Sequence, residues 1–177
     1  QYVTAAKQLV SLSDVAIDMP AGPSEVEVLA DESCNPSFVA ADLLSQAEHG
    51  ADSQVVLIST SSCTIDQIKA EVQRQLQLLP RKELAAKALD HSLYILVRDI
   101  NEAIDITNAY APEHLVIATK KYREVADKIT HAGSIFLGNY SCESAGDYAS
   151  GTNHTLPTKG YARAYSGLNL DSFIRKM

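Results

Sequence analysis

The chain has 177 residues, of which 46% are hydrophobic and 21% are charged, a composition typical of one globular domain with a substantial core. Fifteen basic against 22 acidic residues give a net charge of −7, so the basic surface that nucleic-acid binding requires is missing. No apolar run approaches the roughly 20 residues that span a bilayer, and we expect neither nucleic acid nor a membrane as a partner. The three cysteines are far apart and form no CxxC pair, which favours reduced thiols in a cytoplasmic protein.

Short apolar runs alternate with longer amphipathic segments along most of the chain. The short runs are rich in Val, Ile and Leu and lack polar alternation, a pattern typical of strands buried on both faces of a parallel sheet. The predicted strands cover residues 25–30, 54–59, 93–97, 115–118 and 134–137. The predicted helices cover residues 36–49, 65–79, 81–89, 100–109 and 122–132. This alternation predicts an α/β fold, a Rossmann-like, open, mostly parallel sheet of about five strands with flanking helices.

The two ends of the chain predict structure that continues beyond it. The chain begins with Gln and a helical pattern rather than a leader sequence, and its last residues resemble the first turns of a helix. We expect residues 1–24 to be a helix and turn left from an upstream domain. Residues 25–167 are predicted to form the Rossmann-like catalytic domain, and residues 168–177 to begin a truncated C-terminal helix. Within the catalytic domain, the glycine-rich residues 138–167 predict a long ordered loop region of a kind that often carries function.

A first polar cluster lies at the end of the helix predicted over residues 36–49. Gln46 and His49 are three residues apart and share a helical face. An amide oxygen and an imidazole nitrogen can both bind a metal. Alternatively, His49 only hydrogen-bonds the terminal carbonyl groups, where the negative end of the helix dipole favours a cation. The spacing leaves both interpretations open.

A second cluster, Pro112-Glu113-His114, joins a predicted helix to a predicted strand. Pro112 ends the helix because it biases the preceding residue away from helical geometry. Adjacent Glu and His supply two proton acceptors whose pKa values can be tuned apart, as acid–base catalysis requires. The alternative is a solvated pair in a loop.

A third cluster lies in residues 143–154, which are dense in carboxylate, hydroxyl and imidazole groups. Asp147 and His154 are plausible metal ligands, and two glycines allow a ligand to approach the backbone closely. The alternative is a surface loop. Ser24, in the turn before the first strand, can bind a substrate or only cap that turn.

The three clusters and Ser24 are predicted to lie at one edge of the sheet. Ser24 and Glu113 precede strands and His49 ends a helix that leads to a strand, so a parallel sheet places them where strands begin. Open α/β sheets usually bind ligands at the opposite edge. Asp147 reaches this edge if the chain returns after the last strand, because nine extended residues span about 30 Å and a strand about 17–20 Å. An antiparallel last strand is the alternative.

Four segments carry a resemblance to a known family: IDMPAGPSEV, ADLLSQAEHGADSQVVL, YAPEHLVI and GSIFLGNYSCESAGDYASGTNHTLPT. In this order they resemble histidinol dehydrogenase, and the resemblance covers essentially the whole chain. It implies a cytoplasmic homodimer that uses zinc and NAD to oxidise L-histidinol to L-histidine in two hydride transfers. The aldehyde formed between the two oxidations is held on the enzyme.

The resemblance also implies roles for individual residues. The implied zinc ligands are Gln46, His49 and Asp147. Zinc holds the imidazole and the amine of the substrate, which orients it. His114 is the implied acceptor of the alcohol proton, and Glu113 activates the water that hydrates the aldehyde. The implied substrate contacts are Ser24, Gln46, His49, His114 and Asp147.

Other parts of the family's site are implied to lie outside this sequence. They are a zinc-ligand histidine donated by the partner subunit and a substrate-binding glutamate, both beyond Met177, and the principal NAD contacts, before Gln1. We therefore expect the 177 residues by themselves to show no turnover.

Two further functions stay open at this point. His154 lies in a family motif without an implied role, and it allows a zinc hydrolase with His49, Asp147 and His154 as ligands and Glu113 as base. The other alternative is a non-catalytic α/β scaffold module that keeps these motifs for folding. The sequence contains no GxGxxG, P-loop or GxSxG motif.

Overall fold

The computed structural model describes residues 2–174 and contains one five-stranded sheet. Its strands are β1 (Glu25–Ala30), β2 (Gln54–Ser59), β3 (Leu93–Leu96), β4 (His114–Ala118) and β5 (Ser134–Leu137). Every neighbouring pair is parallel, in the spatial order β3-β2-β1-β4-β5. The predicted open parallel sheet is confirmed, and the alternative of an antiparallel last strand is wrong.

Helices connect the strands and cover both faces of the sheet. The α-helices of residues 2–174 are α1 (Tyr2–Ser11), α2 (Pro36–Ala47), α3 (Ser62–Leu76), α4 (Lys82–Leu89), α5 (Ile100–Tyr110), α6 (Tyr122–Ala126) and α7 (Ser144–Tyr148). Two 3₁₀ turns follow at Tyr161–Arg163 and Leu170–Phe173. None of the helices in this part of the chain is both long and apolar enough to cross a membrane.

The core has two halves, one on each face of the sheet. The first contains Val26 and Val28 of β1 with buried residues of α2, α3 and α4. The second contains Leu29 of β1 and Ile117 of β4 with buried residues of α5 and α6. All six residues of β1 are buried, because this strand is central and is covered on both faces. Such two-sided burial explains why the strand sequences show no polar alternation.

Helix ends differ from the predictions where packing stops. Only Val125 of α6 is buried, and this helix ends at Ala126 instead of residue 132. At the C-terminus, no residue of the 3₁₀ turn Leu170–Phe173 is buried and Ile174 is extended, so the predicted α-helix does not begin there. Short helices without a buried face are marginal. The rest of that predicted helix, residues 175–177, lies outside the described residues.

The N-terminal helix stands apart from the core. None of the residues of α1 is buried, and its contact with the turn before β1 includes a hydrogen bond from the Thr4 hydroxyl to the Ala21 carbonyl (2.7 Å). The assignment of residues 1–24 to an upstream domain stays a prediction, as do the other predicted domain boundaries.

After β5 the chain returns to the edge where the strands begin, running alongside α2. The side chain of Asn139 accepts the N–H of Asn35, which is the N-cap of α2 (3.2 Å). Further along, the N–H of Glu143 donates to the carboxylate of Asp42 on α2 (2.9 Å). Residues 138–167 are therefore not all loop, since α7 forms where this segment reaches the end of α2.

Candidate active site at the amino-terminal sheet edge

The end of α5 brings Glu113 and His114 to the start of β4. The helix stops at Tyr110, and Ala111 turns the chain in a left-handed conformation (φ 55°). Pro112 disfavours a right-handed helical conformation at Ala111, so the helix does not continue. His114 is the first residue of β4 and lies opposite Val26 of β1. Both site residues are buried.

The hydrogen bonding of His114 identifies its basic nitrogen. Nδ1 lies 3.0 Å from the carbonyl oxygen of Glu25. Because a carbonyl oxygen only accepts hydrogen bonds, Nδ1 carries the proton and the neutral ring has its lone pair on Nε2. Nε2 lies 4.0 Å from Oε1 of Glu143. His114 is thus set up to accept a proton at Nε2.

Glu113 combines deep burial with few hydrogen bonds. Its Oε2 accepts the N–H of Glu25 (2.9 Å) and lies 3.6 Å from Nδ1 of His114. Burial raises the pKa of Glu113 to about 8; the negative charges of Glu25 and Glu143 add to this, whereas hydrogen bonds from the Glu25 N–H and the Ser24 side chain oppose it. A carboxyl group with such a pKa can exchange a proton near neutral pH.

A metal-binding geometry lies at the end of α2. His49 follows this helix, Glu143 precedes α7 and Asp147 lies within α7. Their candidate ligand atoms all lie within 4.8 Å of one another. Two ligands bound to one zinc ion at ~2.2 Å are at most ~4.4 Å apart, so a small adjustment allows binding. Among residues 2–174 this is the one group of three or more His, Cys, Asp or Glu residues with that geometry.

Gln46 lies on α2, one turn before His49. It is fully buried, and neither its amide oxygen nor its amide nitrogen has a hydrogen-bond partner among the described residues. Leaving a buried polar group unpaired costs about 1–3 kcal/mol, so a ligand for this amide is expected. The imidazole and carboxylate groups that converge nearby fit zinc.

Glu143 connects the two parts of the site, and sequence reasoning missed it. Its Oε2 accepts the hydroxyl of Ser45 (2.8 Å), whereas its Oε1 is buried, without a hydrogen-bond partner among residues 2–174, and faces His114. The spacing of four between Glu143 and Asp147 is a helical signal. This spacing alone did not predict a helix, because the surrounding segment lacks the apolar periodicity that is typical of helices.

The remaining predicted residues lie around this centre. Ser24 lies close enough to Glu113 to oppose the rise of its pKa. Asp147 and His49 line an open cavity of about 290 Å³, together with Arg81. His154 lies beside Asp147, with Nδ1 3.7 Å from its carboxylate, but its side chain is 68% exposed and it is not part of the group of converging ligand atoms. The structure therefore gives the hydrolase ligand set no support.

Comparisons with known proteins point to one family. The family model described as "Histidinol dehydrogenase" matches residues 1–177. A histidinol dehydrogenase of Bacteroides thetaiotaomicron is 70% identical over 177 residues, which cover 100% of this chain and 41% of that protein. The protein of Arabidopsis thaliana named "Histidinol dehydrogenase, chloroplastic" is 56% identical over 180 residues, covering 100% of this chain and 39% of its own length.

A solved structure shows the same fold. The crystal structure of histidinol dehydrogenase from Elizabethkingia anophelis superposes with a TM-score of 0.95 at 62% sequence identity, covering 100% of this chain and 41% of that one. The chain thus spans about 41% of the length of these bacterial relatives. The match of the family model over all 177 residues, at this level of identity, shows that the chain belongs to the histidinol dehydrogenase family.

Proposed function

We propose that the full-length protein containing this chain oxidises L-histidinol to L-histidine with zinc and NAD. Family membership supports the reaction class. The observation that carries the proposal is that the buried Glu113–His114 pair and the group of His49, Glu143 and Asp147 are contiguous through the 4.0 Å approach of Glu143 to His114. A scaffold module needs neither a buried acid–base pair nor converging ligand atoms beside it.

This chain supplies a metal site and two acid–base groups for that reaction. The proposed zinc ligands are Gln46, His49 and Asp147. The substrate contacts we propose are Ser24, Gln46, His49, His114 and Asp147. When bound, zinc holds the imidazole and amine of the substrate, and NAD accepts the hydride of each oxidation. We propose no NAD contact among residues 2–174.

His114 and Glu113 divide the proton transfers. In the first oxidation the alcohol loses a hydride from carbon and a proton from oxygen, and Nε2 of His114 accepts that proton. The second oxidation requires water to add to the aldehyde, and the carboxylate of Glu113 removes a proton from this water. Because the pKa of Glu113 is raised to about 8, its basic form grows as the pH rises through that value.

The quaternary and cellular parts of the proposal rest on the family. We propose a homodimer, as the resemblance implies, and a cytoplasmic location. Free thiols at all three cysteines support the location, since disulfides form in oxidising compartments.

The test uses the full-length protein and L-histidinol. NADH absorbance should show two NADH formed per histidinol, and removal of zinc by a chelator should abolish turnover until zinc is added back. His49→Ala should lower zinc affinity by at least about 10-fold. His131→Gln, which changes a histidine outside the site, is the matched control and should retain zinc and turnover. A zinc-loaded wild-type protein that forms no NADH from histidinol would refute the proposed activity.

A further inference from the structure

The backbone of Glu25 holds both members of the Glu113–His114 pair. Its N–H donates to Oε2 of Glu113 (2.9 Å), and its carbonyl oxygen accepts from Nδ1 of His114 (3.0 Å). A displacement of this one residue at the start of β1 therefore moves the partners of both side chains. The position of residue 25 decides how well the pair is oriented.

The side chain of Glu25 fixes that position from the other direction. It is buried, and its Oε1 accepts the backbone N–H of Lys159 (2.8 Å). Its Oε2 is buried as well and has no hydrogen-bond partner among the described residues. The carboxyl group thus joins the first residue of β1 to a segment more than 130 residues later in the chain.

The segment that Glu25 holds is a tight turn. The N–H of Tyr161 bonds the carbonyl oxygen of Thr158 (3.1 Å), and the two residues between them, Lys159 and Gly160, have φ angles of 54° and 75°. Positive φ at both central positions defines a type I′ turn. A left-handed conformation is disfavoured for a non-glycine residue such as Lys159, and the hydrogen bond to Glu25 offsets this cost.

The same turn also holds the loop that contains Ser24. The hydroxyl oxygen of Thr158 accepts the N–H of Gly22 (2.7 Å). An added Cβ at Gly22 would lie 2.9 Å from the side chain of Lys159, so the two segments pack in direct contact. Through this turn, the carboxyl group of Glu25 connects the start of β1 with the loop that contains Gly22 and Ser24.

Glu25 also places charge next to Glu113. Burial is the main cause of the raised pKa of Glu113, and the negative charge of Glu25 raises it further. The pKa of Glu25 is itself raised by burial, and the positive charge of Lys159 opposes that rise. The titratable groups around the two carboxyls are His114 on β4, Glu27 on β1, Tyr110 on α5, Glu143 before α7 and Lys159 in the turn. Glu27 is a buried carboxyl on the same strand, two residues further on, but it does not act on Glu113.

We propose that the carboxyl group of Glu25 is a positioning group for the catalytic pair, which clamps the turn of residues 158–161 to the strand start that holds Glu113 and His114 and sets the charge beside Glu113. This inference rests on the proposed function. It assigns Glu25 no contact with substrate.

Two substitutions in the full-length enzyme separate the clamp from the charge. Glu25→Gln keeps an acceptor for the Lys159 N–H and removes the negative charge. We expect its maximal rate to stay near that of wild type, while the acid limb of the pH profile, measured with histidinal as substrate, moves to lower pH. Glu25→Ala removes the clamp as well, and we expect kcat to fall by about 10-fold or more because the catalytic pair is then less precisely oriented. If Glu25→Ala does not fold, the Gln variant carries the test.

Glu27→Gln is the matched control, because it also replaces a buried glutamate of β1, and the side chain of Glu27 makes no hydrogen bond to Glu113 or His114 among the described residues. Its acid limb should coincide with that of wild type. Equal shifts in both Gln variants, or no shift in Glu25→Gln, would overturn the inference.

A measurement that does not depend on enzyme activity separates this inference from the proposed function. Hydrogen exchange of the Lys159 amide should stay slow in Glu25→Gln and become about 10-fold faster or more in Glu25→Ala. Unchanged exchange in Glu25→Ala would refute the clamp. If wild type forms no NADH from histidinal, the proposed function fails, and the exchange measurement still decides whether Glu25 holds the turn.

Discussion

Replacing Glu27 with glutamine is expected to stabilise the protein in alkaline solution and to leave its stability in acid unchanged. Glu27 lies in the middle of β1 and is fully buried. The hydroxyl of Thr107 donates to its Oε1, and its Oε2 has no partner among the described residues. Because no positively charged group among residues 2–174 compensates the carboxylate, the folded state favours the protonated form.

The magnitude follows from the pKa of this carboxyl. Burial raises the pKa of Glu27 from 4.5 to about 7, against the opposing hydrogen bond from Thr107. The unfolded chain releases the proton near pH 4.5 and the folded state near pH 7, so the stabilising contribution is complete below pH 4.5 and is lost as the pH rises through 7. At about 1.4 kcal/mol per pH unit, this interval lowers the free energy of unfolding by about 3 kcal/mol. A glutamine has no carboxyl group to ionise, so the variant does not lose this stability.

Urea unfolding followed by circular dichroism tests this expectation at pH values from about 4 to about 9. The free energy of unfolding of Glu27→Gln should match wild type at the acid end and exceed it by about 3 kcal/mol at the alkaline end. Asp105→Asn, which changes an exposed carboxylate of α5, is the control and should follow wild type. Parallel curves for wild type and Glu27→Gln, or a variant less stable than wild type at alkaline pH, would show that Glu27 is not held protonated.

Three further perturbations test the site. In the full-length enzyme, Glu113→Gln should slow the second oxidation more than the first, since only hydration of the aldehyde needs this base; stopped-flow traces with equal slowing of both NADH-forming steps would contradict the division of roles. Gly133→Ala would place a Cβ 2.6 Å from the backbone oxygen of Glu113, so we expect a destabilisation of about 1–3 kcal/mol and reduced turnover; an unchanged melting temperature and kcat would refute that crowding. His154→Ala should retain zinc, because His154 is outside the group of converging ligand atoms; stoichiometric loss of zinc would favour the hydrolase ligand set.

The sheet and most helices could be predicted because their sequence signals are local. Strands buried on both faces appear as continuous apolar runs, and all five were located within two residues of their observed ends. At α2, Asn35 caps the helix by accepting the N–H of Ser37, and Pro36 takes the first helical position, as their residue types indicate. The short helix α7 gave no such signal, because no residue in it is buried and apolar periodicity is therefore missing.

The site was predictable as a location but not as a set of contacts. Chain order placed Ser24, Glu113 and His49 at the edge where strands begin, and the structure brings His49 and Asp147 together there. Zinc binding by these residues stays a prediction. The contributions of Glu25 and Glu143 depend on backbone hydrogen bonds and on pairs about 90–100 residues apart in sequence, which no local pattern encodes.

The position of the site at the less usual edge of the sheet has an electrostatic explanation. Helices α2 and α5 both end at this edge, so the free carbonyl groups at their C-termini make the electrostatic potential there negative. The N-termini of α2 and α5, which favour phosphate groups, lie at the opposite edge. The buried carboxyl groups of Glu25 and Glu143 also lie at this edge, and that of Glu113 adds negative charge as the pH rises through about 8. A site with this field suits a metal cation and a substrate that carries an amine and an imidazole, and it disfavours the phosphates of a dinucleotide. Many ligands at the usual edge of open α/β sheets carry phosphate groups that bind at helix N-termini. The proposed cationic ligands belong, by the same physics, at the other end of the helices.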